Sequence, residues 1–163
     1  MVNIDSYAYI TELILQHSLS QNTPWMIAAL LQKELQVMLV DDNVIDHFII
    51  NKYFQKSGFA NPAMCFAGAA EALLFLRNAS VNDLPHLIFL DINMPGMNGF
   101  DFLEAFALLD SHATTHCKIV MLSSSLNEED IQRSTANAFV ISYLTKPLTN
   151  EKLVEVFQKL VSD

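Results

Sequence analysis

Four runs of apolar residues in this chain each end in a polar or charged group. VMLV (37–40) leads into Asp41 and Asp42, HLIFL (86–90) into Asp91, KIVML (118–122) into Ser123, and FVISYL (139–144) into Thr145-Lys146-Pro147. Stretches with helical spacing follow them: 44–56, 99–109, about 127–137 and about 150–161. A shorter extended segment near 63–66, with a helix from Ala69 to about Asn78, completes five βα units. Strands alternating with helices of this length predict a parallel sheet covered by helices on both faces. HLIFL and KIVML are apolar at nearly every position, as strands buried on both sides must be. The expected fold is therefore an α/β, flavodoxin-like doubly wound (βα)5 sheet with strand order 2-1-3-4-5. In such a sheet ligands bind beyond the strand ends, at the switch point between strands 1 and 3. Asp41, Asp42 and Asp91 would line that crevice.

The fold accounts for residues 37–163 as one domain. Residues 1–36 carry few charges (Asp5, Glu12, Lys33 and Glu34) and read as a helical N-terminal extension, with Thr23 as N-cap and Pro24 at the first helical position. Docking on the domain or on a second copy, as a homodimer, and a frayed terminus are equal expectations for it. A formal net charge of −9 opposes binding to a phosphate backbone or an anionic lipid surface, so neither nucleic acid nor membrane is an expected partner. No basic stretch precedes the early apolar residues, and the apolar stretch at 24–31 is too short to span a bilayer. Cys65 and Cys117 lack metal or redox spacing and read as packed thiols of a reduced, cytoplasmic protein.

Three carboxylates in one pocket repel one another by ~1–4 kcal/mol per close pair. Such a group tends to hold a cation or a proton, and hard oxygen ligands with room for water favour Mg²⁺. Lys146 brings a point charge to the same edge and Ser123 a hydroxyl, both suited to an anionic oxygen. An acceptor carboxylate, a metal, a lysine and a hydroxyl together suit phosphoryl transfer to an aspartate. Blander readings are an N-cap role near Asp41-Asp42, which Asn43 fills, and a core role for Tyr143. His112, His116 and Cys117 could be spaced for a metal, but solvated loop surface before strand 4 is the stronger expectation. Met94-Pro95-Gly96 is turn chemistry that shapes the loop beside Asp91.

The strings LVDDN (39–43), FLDINMPGMNG (89–99), VMLSSS (120–125) and YLTKP (143–147) resemble the receiver domain of two-component response regulators, of the stand-alone, chemotaxis-regulator type. Their order and separation fit that family across residues 37–161. The resemblance implies Asp91 as the phospho-acceptor. It also implies Mg²⁺ held by Asp42 directly, by Asp41 largely through water, by Asp91 and by the backbone carbonyl of Asn93. Lys146 would pair with phosphoryl oxygens, next to a cis peptide to Pro147. Ser123 would be the switch hydroxyl and Tyr143 the switch aromatic, altering the surface formed by strand 5 and the helices after strands 4 and 5. The phosphodonor would be a histidine kinase or a histidine phosphotransfer domain, docking on the first helix near Asp46 and Asn51. The readout would be a downstream protein target, because only 161–163 follow the last helix. Catalysis would be limited to the chain's own phosphorylation and dephosphorylation. The rival from another class is a haloacid dehalogenase-type phosphatase. It would need a second acid two residues after its nucleophile, where this chain has Asn93.

Overall fold

The computed structural model describes residues 35–56 and 61–162. The expected extension, except Leu35 and Gln36, lies outside the described residues, as does the helix stop read at Ser57-Gly58. Five strands, β1 (Val37–Val40), β2 (Met64–Phe66), β3 (Leu87–Asp91), β4 (Lys118–Ser123) and β5 (Val140–Thr145), form one parallel sheet ordered β2-β1-β3-β4-β5. Helices α1 (Val44–Lys56), α2 (Ala69–Asn78), α3 (Gly99–Phe106), α4 (Ser111–His116), α5 (Glu128–Thr135) and α6 (Asn150–Ser162) connect or follow them. The expected α/β class and strand order both hold. The short α4 was not expected. Asp110 caps its N-terminus by accepting from the Ala113 N–H, which turns a polar stretch into one helical turn and a half.

Two apolar layers sandwich the sheet. On one side Met38, Val40, Ile88, Leu90 and Met121 pack against Ala72 and Leu76 of α2 and Phe102 and Phe106 of α3. On the other, Leu39, Phe89, Val120 and Leu122 meet Ile50 and Phe54 of α1 and Leu153, Val156 and Phe157 of α6. Burying a side chain of this size contributes roughly 1.5–3 kcal/mol, so the middle strands anchor the domain. In β5 a register shift opposite Ile119 and Val120 pairs Val140 with Ile119 and Ser142 with Val120. The extra residue, Ile141, is what lets both Val140 and Tyr143 pack on the α2/α3 side.

Helix α1 has Ile45, Phe48, Ile49 and Tyr53 at helical spacings, but Ile50 and Phe54 are its fully buried pair, with Tyr53 packed beside them. Val44, Ile45 and Phe48 are each more than 60% exposed, on the turns nearest the strand ends. The helix is apolar on most of its circumference, so its sequence alone does not select a face. By contrast α5 buries only Ser134. Its tie to α3 is Arg133, which stands 4.1 Å over the Phe100 ring and 3.1 Å from a Glu104 oxygen.

Candidate functional site: an acidic pocket at the strand ends

Strand geometry brings the predicted residues together. β1 and β3 pair in register, so Asp41 and Asp91 leave the sheet side by side, with Asp42 one residue further on. One carboxylate oxygen from each of Asp41, Asp42 and Asp91 lies within 4.8 Å of the others. Asp41 and Asp91 are buried, whereas Asp42 is exposed. This is the one group among the described residues with a donor set for a divalent cation, and hard carboxylate oxygens suit Mg²⁺. The Asp41 Oδ2 atom is fully buried. It meets the Lys146 ammonium at 2.6 Å in an ion pair. An acidic oxygen so placed fits a cation.

Lys146 is the hub of the pocket. Its Nζ lies 2.6 Å from Asp41, 2.9 Å from Asp91 and 3.1 Å from Asp46. The peptide to Pro147 is cis, as the resemblance implied. Burial disfavours the ammonium, but its contacts with Asp41 and Asp91 more than offset this and raise its pKa. For Asp41, burial raises the carboxyl above its ordinary value, while Lys146 and the Asn43 N–H pull it down without cancelling the rise. Three carboxylates therefore share one lysine, with Asp42 beside them, leaving an excess of negative charge at this edge.

Asp46 was read as an exposed docking position and is instead half-buried in this ion-pair group. Its second oxygen contact, from the Asn43 side-chain amide at 3.1 Å, ties the N-cap to the pocket. Asn43 is the N-cap, accepting from the Ile45 N–H while its own N–H donates to Asp41 Oδ1. Asn51 is half-buried as well, with its side chain engaged within the domain. Its carbonyl oxygen accepts from the Ala63 N–H at 2.8 Å, and its amide reaches the Cys65 sulfur. A lysine a hundred residues downstream left no local sign that Asp46 would join it. The i, i+3 spacing of Asn43 and Asp46 was the only cue.

The loop after β3 is shaped by two glycines. Gly96 adopts a left-handed φ of 81°, open to glycine at little cost. At Gly99 a Cβ would stand 2.6 Å from the Asp91 carbonyl oxygen, so α3 can begin this close to the site only with glycine there. Asn98 caps α3 in a reciprocal box with Asp101. Asn93 is exposed, and its N–H donates to Asp91 Oδ1 at 3.3 Å.

Ser123, fully buried at the end of β4, accepts from the Ser125 N–H at 3.2 Å. Tyr143 is half-buried, and its hydroxyl donates to the Ser125 carbonyl at 2.9 Å. Ser125, which carried no weight in the sequence, thus touches both. His112 and His116 do not gather with Cys117. His112 is exposed, His116 packs 4.7 Å from the His86 ring at the opposite edge, and Cys117 is buried with its thiol pushed up to about 12. No helix among the described residues is long and apolar enough to cross a membrane.

Comparison with known proteins agrees with this geometry. The profile of the response regulator receiver domain matches residues 37–158. The chemotaxis protein CheY-3 of Vibrio cholerae is 29% identical over 136 residues, covering 81% of this chain and 98% of that protein. The sensory/regulatory protein RpfC of Xanthomonas campestris is 24% identical over 128 residues, 78% of this chain but only 17% of that much longer protein. Among solved structures, a response regulator receiver protein from Dyadobacter fermentans superposes with a TM-score of 0.68 at 32% identity, covering 77% of this chain and 96% of its own. A two component response regulator from Cytophaga hutchinsonii gives 0.72 at 27% identity, covering 78% and 97%. This chain belongs to the response regulator receiver domain family.

Proposed function

We propose that the chain is a phospho-accepting switch, charged on Asp91 by a phosphohistidine and read through protein contacts. The observation that carries this reading is the buried Asp91 carboxylate, 2.9 Å from the Lys146 ammonium and with an oxygen within 4.8 Å of oxygens from two further aspartates. An Asp91 oxygen attacks phosphorus, the phosphorus–nitrogen bond breaks, and the imidazole leaves with its electron pair and takes up a proton. The product is an acyl phosphate. Asp41, Asp42 and Asp91, with the Asn93 backbone carbonyl, would hold Mg²⁺, which when bound offsets the surplus carboxylate and phosphoryl charge. Lys146 supplies a point charge to the new phosphoryl oxygens. Turnover is confined to Asp91 itself, with water reaching it past the exposed Asn93.

The switch runs through Ser123 and Tyr143. A phosphoryl oxygen would accept the Ser123 hydroxyl proton, and drawing that hydroxyl inward pulls on the bond its oxygen accepts from the Ser125 N–H. Moving Ser125 displaces the carbonyl that holds the Tyr143 hydroxyl. The surface of α5, β5 and α6 then changes by a shift between packings. For the donor, a histidine kinase or a histidine phosphotransfer domain, the exposed Val44, Ile45 and Phe48 beside the pocket offer an apolar landing face.

Incubation with acetyl phosphate, with and without Mg²⁺, followed by intact-mass measurement tests the site. One added phosphoryl group is expected with Mg²⁺, and none in Asp91→Asn. Labelling that persists in Asp91→Asn would overturn the assignment.

A further inference from the structure

Helix α6 breaks a sequence rule at its first turn. Thr149 precedes the helix and receives the Leu153 N–H on its carbonyl and the Lys152 N–H on its hydroxyl. In a Thr-x-x-x start of this kind the fourth position ordinarily carries Glu or Gln, which closes a capping box. A cation there also opposes the positive end of the helix dipole. Lys152 occupies it. Rules broken without local gain mark residues held for another purpose.

The side chain shows what that purpose is. The Lys152 ammonium donates to the Thr145 carbonyl, to the Thr145 hydroxyl at 3.1 Å and to the Pro147 carbonyl at 3.0 Å. An ammonium has three donors, and all three go to neutral oxygens of the residues on either side of Lys146. Lys146 itself is a flexible four-carbon side chain whose tip must serve three carboxylates within 3.1 Å. Its backbone is fixed on the strand side by its own N–H to the Ser123 carbonyl at 2.7 Å. On the helix side the fixing group is Lys152. We infer that Lys152 is a positioning residue, clamping Thr145 and Pro147 so that the Lys146 ammonium stays over the Asp41–Asp91 pair.

As a contributor to phosphoryl transfer, this role rests on the function proposed above; as a clamp on Lys146, it does not. Both are read in the full-length chain. Lysine acylation by an activated acetate ester, followed residue by residue by peptide mass spectrometry, reports how well Lys146 is held. Mg²⁺-dependent uptake from acetyl phosphate, measured across donor concentration, reports the chemistry. Lys152→Met is expected to make Lys146 acylate roughly tenfold faster and to slow maximal phosphorylation by a similar factor, with little change in the donor concentration for half-maximal rate. Lys152→Arg, which keeps donors on a long stem, should restore much of both. Lys159→Met, on the same helix but bonded to Ser142 and Glu155, should change neither. If Lys152→Met does not fold, Thr145→Val removes one acceptor of the clamp and should give a smaller change in the same direction. Lys146 acylation unchanged in a folded Lys152→Met or Thr145→Val protein overturns the clamp. A wild-type chain that takes up no phosphoryl group would sink the phosphotransfer reading, while the acylation result still decides the role of Lys152.

Discussion

The two edges of one sheet have opposite chemistry. At the C-terminal edge Asp41, Asp42, Asp91, Asp46 and Lys146 crowd together, with two of the carboxylates buried. At the N-terminal edge β1 and β3 close with hydrogen bonds between neutral groups. The Gln36 N–H donates to His86 Nδ1 at 3.1 Å, its side chain donates to the Asn82 carbonyl, and its own carbonyl accepts the His86 N–H. Both edges end the same strands, so strand packing cannot explain the difference. One edge is finished for stability and the other is left electrostatically costly, as a site that must receive an anion and a cation would be.

The largest expected break in that contrast is Lys146→Met. It leaves Asp41, Asp46 and Asp91 facing one another and should cost roughly 3–5 kcal/mol in urea unfolding near pH 7.5. Asp41 gives the deficit a sign with pH. Its raised pKa means the folded chain binds this proton more tightly than the unfolded chain does, whose value is near 3.8. Its contribution to stability therefore grows as pH falls through the raised value and declines as pH rises. The loss in Lys146→Met should shrink at pH 5, and a deficit independent of pH would count against carboxylate repulsion as its cause.

Mg²⁺ gives the next effect. At a hundred times its dissociation constant it should stabilise the wild type by about 2.7 kcal/mol. Asp42→Asn, at an exposed position, should leave metal-free stability within about 0.5 kcal/mol but remove most of that gain. Thermal midpoints with Mg²⁺ and with chelator measure both. A full Mg²⁺ response in the variant would exclude Asp42 as a ligand. At the quiet edge, His86→Ala should cost about 1 kcal/mol through the Gln36 N–H and leave phosphoryl uptake unchanged. Smallest in stability is Phe48→Ser, within about 0.5 kcal/mol. Its effect should appear as slower transfer from a cognate phosphohistidine donor with uptake from acetyl phosphate intact. Equal rates from both donors would remove α1 as the landing face.

The costly edge was largely legible in the sequence because strands buried on both faces leave unmistakable runs, and the first residue after each run falls on one line. Leu90-Asp91 and Leu39-Val40-Asp41 show this directly. What escaped depended on contacts between distant segments or on choices the local pattern leaves open. The bulge at Ile141 sets the side on which Tyr143 packs, yet FVISYL reads equally well in either register. Ile45 and Phe48 point outward because the apolar circumference of α1 exceeds what the sheet can cover. Asp46 and Lys152 joined the site through partners on other elements, although Lys152 did leave a trace in the cap position it occupies.

The sparse anchoring of α5 bears on how large a signal must be. Its one fully buried residue is a serine, and its ties to α3 are an exposed ion pair and one ring contact, so its hold on that neighbour is light even though it also packs along β5. A displaced arrangement about 2 kcal/mol above the packed one would be populated at several per cent before any phosphoryl group arrives. The resting protein would then carry a background output. Modification would act as a gain on that output, turning up a conformation the domain already visits.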